Sequence, residues 1–594
     1  FLIDSQHEMT RFCLSLSILS LIFLFGACSD TNEKLFSLVT PDESNVEFVN
    51  LLVENEELNI MKYDYLYNGG GVAIGDINQD GLEDIYFSGN MVDNRLYLNK
   101  GNFKFEDITE KAGVAASNGW SSGVTMADVN CDGLLDIYVC RSAFDNYRQR
   151  KNLLYINNGD LTFTEKAKDY GIDDSGYSTQ ATFFDYDQDG DLDMYLLNHS
   201  LSQYSDFNEK TKDLKTRNNP LFGDKFFKNI GGKFEEVTKE AGIKSNVLGF
   251  GLGVAVSDIN NDGWLDIYVC NDFNEQDYLY INDQKGGFTE QLEHYFDHVS
   301  LNSMGNDIAD INNDGHMDIL TLDMLPEDNY RQKMMAGPDN YYKFSLLEQS
   351  GFYHQSMRNM LQLNHGNDLG FAEIGQMSGV SNTDWSWAGL MADFDNDGHK
   401  DIFITNGFKH NFTDMDFIQY LADETIKQRR GGPTPSNMRM VEEMPPIVVP
   451  NYMFRNKGNL SFEPVAEEWG LGQPGISNGA AYADLDNDGD LDIVVNNLDD
   501  NASIYRNNSR THNGNHALKV MFEGSTCNAF GIGARVKIHT GGQLIVQEHT
   551  VVRGFQSSVG NSMVIGLGDI EVIDSLIISW PDQKQQKFFD LSVD

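Results

Sequence analysis

Seven times the chain spells one nine-residue phrase, Asp-x-Asp/Asn-x-Asp-Gly-x-x-Asp, beginning at Asp76, Asp128, Asp185, Asp258, Asp310, Asp393 and Asp484. A recurring unit of this kind means supersecondary pieces that share one continuous core rather than a string of separate domains. In the first copy Asp76, Asn78, Asp80 and Asp84 put side-chain oxygens at positions 1, 3, 5 and 9, Leu82 offers a main-chain carbonyl at position 7, and Gly81 permits the sharp turn at 6. Hard oxygen donors in that order suit a divalent cation, calcium above all. The same roles fall on Asp128, Asn130, Asp132, Leu134 and Asp136, on Asp185, Asp187, Asp189, Asp191 and Asp193, and on Asp258, Asn260, Asp262, Trp264 and Asp266. They recur on Asp310, Asn312, Asp314, His316 and Asp318, on Asp393, Asp395, Asp397, His399 and Asp401, and on Asp484, Asp486, Asp488, Asp490 and Asp492. One such loop would read as an ordinary acidic turn. Seven leave no room for that reading of the set.

The spacing matches the start of an EF-hand loop, but its last anchor is Asp at 9 rather than Glu at 12, so flanking helices are not implied. Apolar, β-branched and aromatic runs flank the loop instead, as in Gly71-Val72-Ala73-Ile74 and Asp84-Ile85-Tyr86-Phe87, and read as two strands joined at the metal. Each unit then continues as in Leu96-Tyr97-Leu98-Asn99, an Asn/Gly turn and Phe103-Lys104-Phe105-Glu106, a pattern that returns at Leu154, Phe227, Tyr280, Leu361 and Phe454. Four antiparallel strands per unit and seven units predict an all-β chain, a seven-bladed β-propeller with calcium loops, because radial packing protects every sheet edge. The propeller is placed over residues 35–508, and a small β-rich C-terminal domain over 516–594 is read as an appendix cut short at Asp594. Leu35 to Thr40 looks like a fourth strand, and the seventh unit lacks its own after Ile504-Tyr505-Arg506-Asn507. The two stretches are predicted to close the ring together.

The formal charge of -47, from 90 acids and 43 bases, repels nucleic acid and anionic lipid. Residues 1–27 hold an apolar run from Leu14 to Phe25 behind Met9 and Arg11, too short to span a bilayer, followed by Gly26-Ala27-Cys28 and a linker over 28–34. That pattern predicts a bacterial lipoprotein signal with Cys28 as the lipid-bearing residue, hence a membrane partner through the anchor and an outer-membrane or cell-surface location; ordinary secretory cleavage is the alternative. Cys131, Cys140, Cys270 and Cys527 remain, and their spacing shows no disulfide framework. Cys131 and Cys140 are about 20 Å apart at strand rise and are not expected to pair. Cys140 and Cys270 hold equivalent positions and read as small buried hydrophobes.

In an up-down sheet the metal loop joins strands 1 and 2, so the connections from strand 2 to strand 3 gather at the opposite end. Three of these are long, near residues 198 to 225, 322 to 360 and 405 to 452. Variable loops held by a rigid scaffold are the expected binding surface. One insertion contains a helix, predicted from the box Thr413-Asp414-Met415-Asp416 and ending near Arg430. Trp120, Tyr177, Phe250, Trp385 and Trp387 precede innermost strands at that end, where they either ring the channel mouth as sugar platforms or pack between blades. Tyr341, Tyr342, Tyr353 and His354 are further ligand candidates in the second long insertion. Catalytic readings are weak. The Asp residues are accounted for as ligands, and His354, His365, His399 and His410 show no metal-protease spacing. Trp580-Pro581-Asp582 has no matching Cys-to-Arg loop around Cys527.

Units such as Gly123-Val124-Thr125-Met126-Ala127-Asp128 resemble FG-GAP or VCBS repeats of the integrin α-subunit type. Downstream, Asn528-Ala529-Phe530-Gly531-Ile532-Gly533, Arg553-Gly554-Phe555-Gln556-Ser557-Ser558 and Ile578-Ser579-Trp580-Pro581 resemble an ASPIC/UnbV domain. The order is that of the cartilage acidic protein family, and the resemblance implies surface binding rather than a reaction. The expected function is a calcium-stabilised extracellular lipoprotein that binds a glycan or protein. The alternative is a polysaccharide lyase, for which Arg331, Lys333, Tyr341 and His354 are the compact supply of basic and proton-abstracting groups on the insertion face.

Overall fold

A computed structural model describes residues 34–201, 213–335, 341–366, 369–524 and 527–593. The leader and Cys28 lie outside the described residues. The chain is mainly β, and seven four-stranded antiparallel units follow one another as propeller blades do. Unit 1 is Val72–Gly75, Asp84–Phe87, Arg95–Asn99 and Phe105–Asp107. The first strands of the others are Ser121–Ala127, Ser178–Phe184, Gly251–Ser257, Asn306–Ala309, Ser386–Ala392 and Ser477–Ala483. Each of these packs beside the next, and the seventh packs beside the first. Their residues are buried throughout, because neighbouring units cover one face and the filled centre covers the other. Fourth strands such as Phe105–Asp107 and Phe163–Glu165 bury only their first residue and turn the rest to solvent.

The ends meet as the sequence predicts. Phe36–Val39 pairs antiparallel with Ser503–Asn507 and supplies the fourth strand of unit 7. The helix in the third insertion runs Met415–Arg429, but its cap is Asp414, whose Oδ1 accepts from the N–H groups of Asp416 and Phe417.

The C-terminal region is no appendix. Its own sheet orders Gln543–Glu548, Arg535–Thr540, Val572–Ser579 and Gln585–Ser592, and His516–Met521 pairs with Ser562–Gly568. Between them the hairpin Val552–Arg553 and Ser557–Ser558 enters the centre of the ring and adds to the unit 1 sheet, Ser558 pairing parallel with Ala73. Val124 N–H donates to Gln556 O at 3.1 Å, and Asn306 and Gly554 exchange main-chain bonds at 3.1 and 2.9 Å. Gly71 shows how close the approach is: a Cβ there would lie 1.7 Å from Gln556 O. Arg553 pairs with Asp307 at 2.7 Å, both side chains being buried, and Phe555 lies fully buried beside Trp387 with ring centroids 5.1 Å apart. Burying such a phenyl group contributes about 1.5–3 kcal/mol. The signature Arg553-Gly554-Phe555-Gln556-Ser557-Ser558 is thus a channel plug.

Candidate metal centres and the opposite face

The loops form from their own hydrogen bonds. In each, position 1 accepts the N–H of position 5 at 2.9–3.2 Å. Position 9 accepts the N–H of position 2 at 2.9–3.3 Å with one oxygen and that of the third-strand asparagine at 2.7–2.9 Å with the other. Those asparagines are Asn99, Asn157, Asn229, Asn282, Asn364, Asn456 and Asn507, so position 9 ties the loop to its own third strand. Glycine at position 6 takes φ between +82° and +95°, a turn that a Cβ would strain.

These carboxylates are buried enough to need a counter-charge. Burial pushes the Asp84 and Asp136 carboxyls up to about 8 and Asp193 up to about 9, and drives Asp266, Asp318, Asp401 and Asp492 well above the usual range. A bound cation removes that penalty. Oxygens of Asp185, Asp187 and Asp193 lie within 4.8 Å of one another, as do those of Asp393, Asp395 and Asp401 and those of Asp484, Asp486 and Asp488. Asp187 Oδ1 and Asp486 Oδ1 are buried without a hydrogen-bond partner. A carboxylate oxygen already accepting an N–H keeps a second lone pair, so the donor set fits a hard cation, and these triads could hold metal ions such as calcium.

Position 4 carries a feature that the sequence reading missed. Gln79, Cys131, Gln188, Asn261, Asn313, Asn396 and Asn487 all take positive φ. Six of them donate a side-chain amide to the position-6 carbonyl of the next loop, Gly133, Gly263, Gly315, Gly398, Gly489 and Gly81, at 2.7–3.5 Å. The loops are therefore linked to one another around the ring. At the seventh place, loop 2, the residue is Cys131, and it forms a disulfide with Cys527 across 396 residues. This corrects the expectation of no disulfide: the partner arrives through the fold-back of the C-terminal region, which spacing cannot show. The signal was a Cys where every other loop has Asn or Gln. Cys140 and Cys270 are free and buried, as expected.

The C-terminal region sits on this same side. Lys519 Nζ lies 3.0 Å from Asp484, Arg535 lies 3.5 Å from Asp258 and donates to Gly315 O at 2.6 Å, and Glu548 accepts the Asp258 N–H at 3.3 Å.

At the other end the aromatic candidates divide. Trp120, Tyr177, Phe250, Trp385 and Trp387 are buried, which favours packing between blades over a ring of sugar platforms, although Phe250 also reaches the wall of the cavity at this end. Trp385 stacks on Phe408 at 3.8 Å, and Trp387 Nε1 donates to Gly407 O at 2.9 Å. Tyr177 lies under the Arg150 guanidinium at 4.3 Å. Tyr341 and Tyr342 are 75% and 85% exposed, while Tyr353 stacks on His354, which pairs with Glu348 at 3.1 Å. Arg331 is held by Asp384 at 3.0 Å and Lys333 donates to Asn329 at 2.6 Å, so the basic groups are engaged locally rather than gathered.

A cavity of about 660 Å³ opens here, lined by Glu57, Lys62, Tyr63, Asp64 and Tyr65 ahead of unit 1, by Phe144 and Asp145 after strand 2 of unit 2, and by His199 and Phe250. His199 forms part of its wall: Nδ1 meets Ser200 O at 2.9 Å, and Nε2 meets Ser142 Oγ at 2.8 Å and Tyr63 Oη at 3.2 Å. Burial lowers its pKa to about 4, so the ring is neutral. Segment 57–65, which brings Tyr63 and Tyr65 to this end, was not singled out in the sequence.

Comparison with known proteins agrees with this architecture. A model of the FG-GAP-like repeat matches residues 67–139, 142–196, 258–321 and 449–495, and one described as ASPIC and UnbV matches residues 524–594. Cartilage acidic protein 1 of Xenopus tropicalis is 29% identical over 217 residues, 36% of this chain and 30% of that protein. The Homo sapiens protein is 28% identical over 209 residues, 34% of this chain and 28% of its own. The match thus spans less than a third of the relatives' length. Among solved structures, an Agrocybe aegerita lectin described as recognising non-reducing terminal N-acetylglucosamine aligns with a TM-score of 0.36 and 16% identity, covering 68% of this chain and 84% of that one. A biofilm matrix protein of V. cholerae aligns with a TM-score of 0.24 and 12% identity, covering 71% and 60%. Scores this low place no ligand on this chain. What the sequence and family matches do establish is that the chain carries FG-GAP repeats followed by a C-terminal ASPIC and UnbV domain, and is distantly similar to cartilage acidic protein 1.

Proposed function

We propose that the protein is a seven-bladed, calcium-stabilised propeller that works outside the cytoplasm as a binding platform and takes a neutral glycan in the cavity opposite its metal loops. The observation that carries the reading is the cavity itself, the meeting place of segments from units 1 to 4 at the end where the insertions emerge. Its lining joins aromatic side chains to hydrogen-bonding groups, the combination that pyranose rings favour. Charge narrows the class. Glu57, Asp64 and Asp145 face one ammonium, Lys62, which lies 3.4 Å from Glu57, and the whole chain carries -47. Such a field disfavours uronate or sulfated polymers. That also weighs against the lyase alternative, whose substrates are polyanions. The disulfide supports an oxidising compartment. Anchoring through Cys28 remains part of the proposal.

A glycan array of neutral, amino-sugar and uronate chains tests it, with Phe144→Ala and Asp145→Asn beside the unaltered protein. Neutral chains are expected to bind, and Phe144→Ala to weaken them at least tenfold, since the side chain is only partly buried and its loss spares the core. Binding confined to uronates, or binding that both variants leave unchanged, would remove the cavity from consideration.

A further inference from the structure

The seven loops differ from one another systematically. Loops 1, 2, 4 and 5 have Asn at position 3 (Asn78, Asn130, Asn260 and Asn312), whereas loops 3, 6 and 7 have Asp187, Asp395 and Asp486. The residue just before the third-strand asparagine sorts in the same way. It is Leu98, Ile156, Ile281 and Leu363 in the first group, and Lys228, Arg455 and Arg506 in the second. No unit breaks the rule.

Geometry explains the pairing. In the first group the asparagine Nδ2 donates to the position-5 carboxylate at 2.8–3.0 Å. Aspartate at position 3 cannot donate, and there the strand cation reaches both carboxylates. Lys228 pairs with Asp187 and lies 3.4 Å from Asp189. Arg455 lies 2.9 Å from Asp395 and 3.1 Å from Asp397, and Arg506 lies 3.2 Å from Asp486 and 4.0 Å from Asp488. Each extra carboxylate at position 3 is thus matched by one positive charge. The cations reaching position 1 from the C-terminal region, Arg535 at loop 4 and Lys519 at loop 7, fall one in each group and do not produce the sorting.

We propose that Lys228, Arg455 and Arg506 are built-in counter-ions. As positioning residues they take over both tasks of the position-3 amide: they hold the position-5 carboxylate, and they fix the net charge that an arriving divalent ion meets. The proposal rests on the calcium reading of the loops. Without the counter-ion, a fourth carboxylate would attract the ion more strongly but repel its neighbours in the empty loop.

Loop 6 of the full chain gives the test. Arg455→Leu, Asp395→Asn and the double variant, which rewrites the loop in the form of loops 1 and 5, are melted in chelator and titrated with calcium by calorimetry. Arg455→Leu is expected to melt earlier in chelator and to tighten that site roughly tenfold, the effect of one charge about 6 Å from a dication at water-like screening. Asp395→Asn, with the cation left facing the ion, is expected to weaken the site. The double variant is expected to return close to the unaltered protein in both measurements. Losses that simply add in the double variant would overturn the proposal. A protein whose melting calcium never alters would remove the calcium reading instead, and the cycle in chelator would still decide whether position 3 and the strand cation compensate.

Discussion

The two ends of the ring are built on opposite plans. At the metal-loop end one nine-residue phrase recurs, its copies are tied to one another through position 4, and the C-terminal region closes over them. At the other end, connections differ in length from unit to unit and surround a cavity with no repeated motif. Repetition here marks what holds the molecule together, and departure from it marks the end to which the proposed ligand site belongs. Acidic clusters draw the eye first, yet they belong to the scaffold.

The largest way to break that contrast is to withhold calcium. If each site binds calcium at roughly 0.2 mM in about 2 mM calcium, it adds about 1.4 kcal/mol, and seven sites add on the order of 10 kcal/mol. Melting with and without chelator is expected to show a large downward shift; an unmoved midpoint would mean that the loops are not the scaffold's fastening. A second effect follows from proton binding in the chelated protein. Asp84, Asp136 and Asp193 are raised from 3.8 to about 8, 8 and 9, so the folded state holds these protons more tightly than the unfolded chain does. Stability from this source is full below the ordinary carboxyl range and is lost as pH rises toward about 9. In chelator the melting temperature is therefore expected to fall between pH 5 and 9, and calcium to flatten that slope; a rise over the same range would contradict the assignment. The smallest effect belongs to the disulfide. Cys131→Ser with Cys527→Ser is expected to cost about 2–4 kcal/mol, because the hairpin and the Lys519 and Arg535 contacts still hold the C-terminal region. Limited proteolysis should then cut that region first, and equal resistance in the variant would show that the link does not fasten it.

Legibility followed the same division. The loops, the four-stranded units and the closing strand at Phe36–Val39 were readable because a period of two and a recurring ligand order leave direct marks in sequence. Position 4 is not legible in the sequence, because Gln79 or Asn261 looks like ordinary turn chemistry and only its partner in the next loop gives it meaning. Trp385 and Trp387 were ambiguous for a different reason. They lie at the start of a strand buried on both faces, where alternation no longer separates inside from outside. The plug was recognisable as a motif in Arg553-Gly554-Phe555 but not as a destination, since nothing local says that it enters a channel made of other units.

That plug bears on how the molecule is manufactured. Val72 N–H donates to Ser557 Oγ at 3.0 Å across a separation of 485 residues, so the first innermost strand waits for a partner emerging roughly 25 to 100 s later at ordinary rates of synthesis. Until then the innermost strands lack the contacts that this hairpin gives them in the complete chain. Contacts of this range are slow to form. Only a chain translated through Ser558 closes its own middle, which makes the hairpin a mark of completion: a product interrupted earlier would expose its innermost strands to whatever inspects unfinished protein.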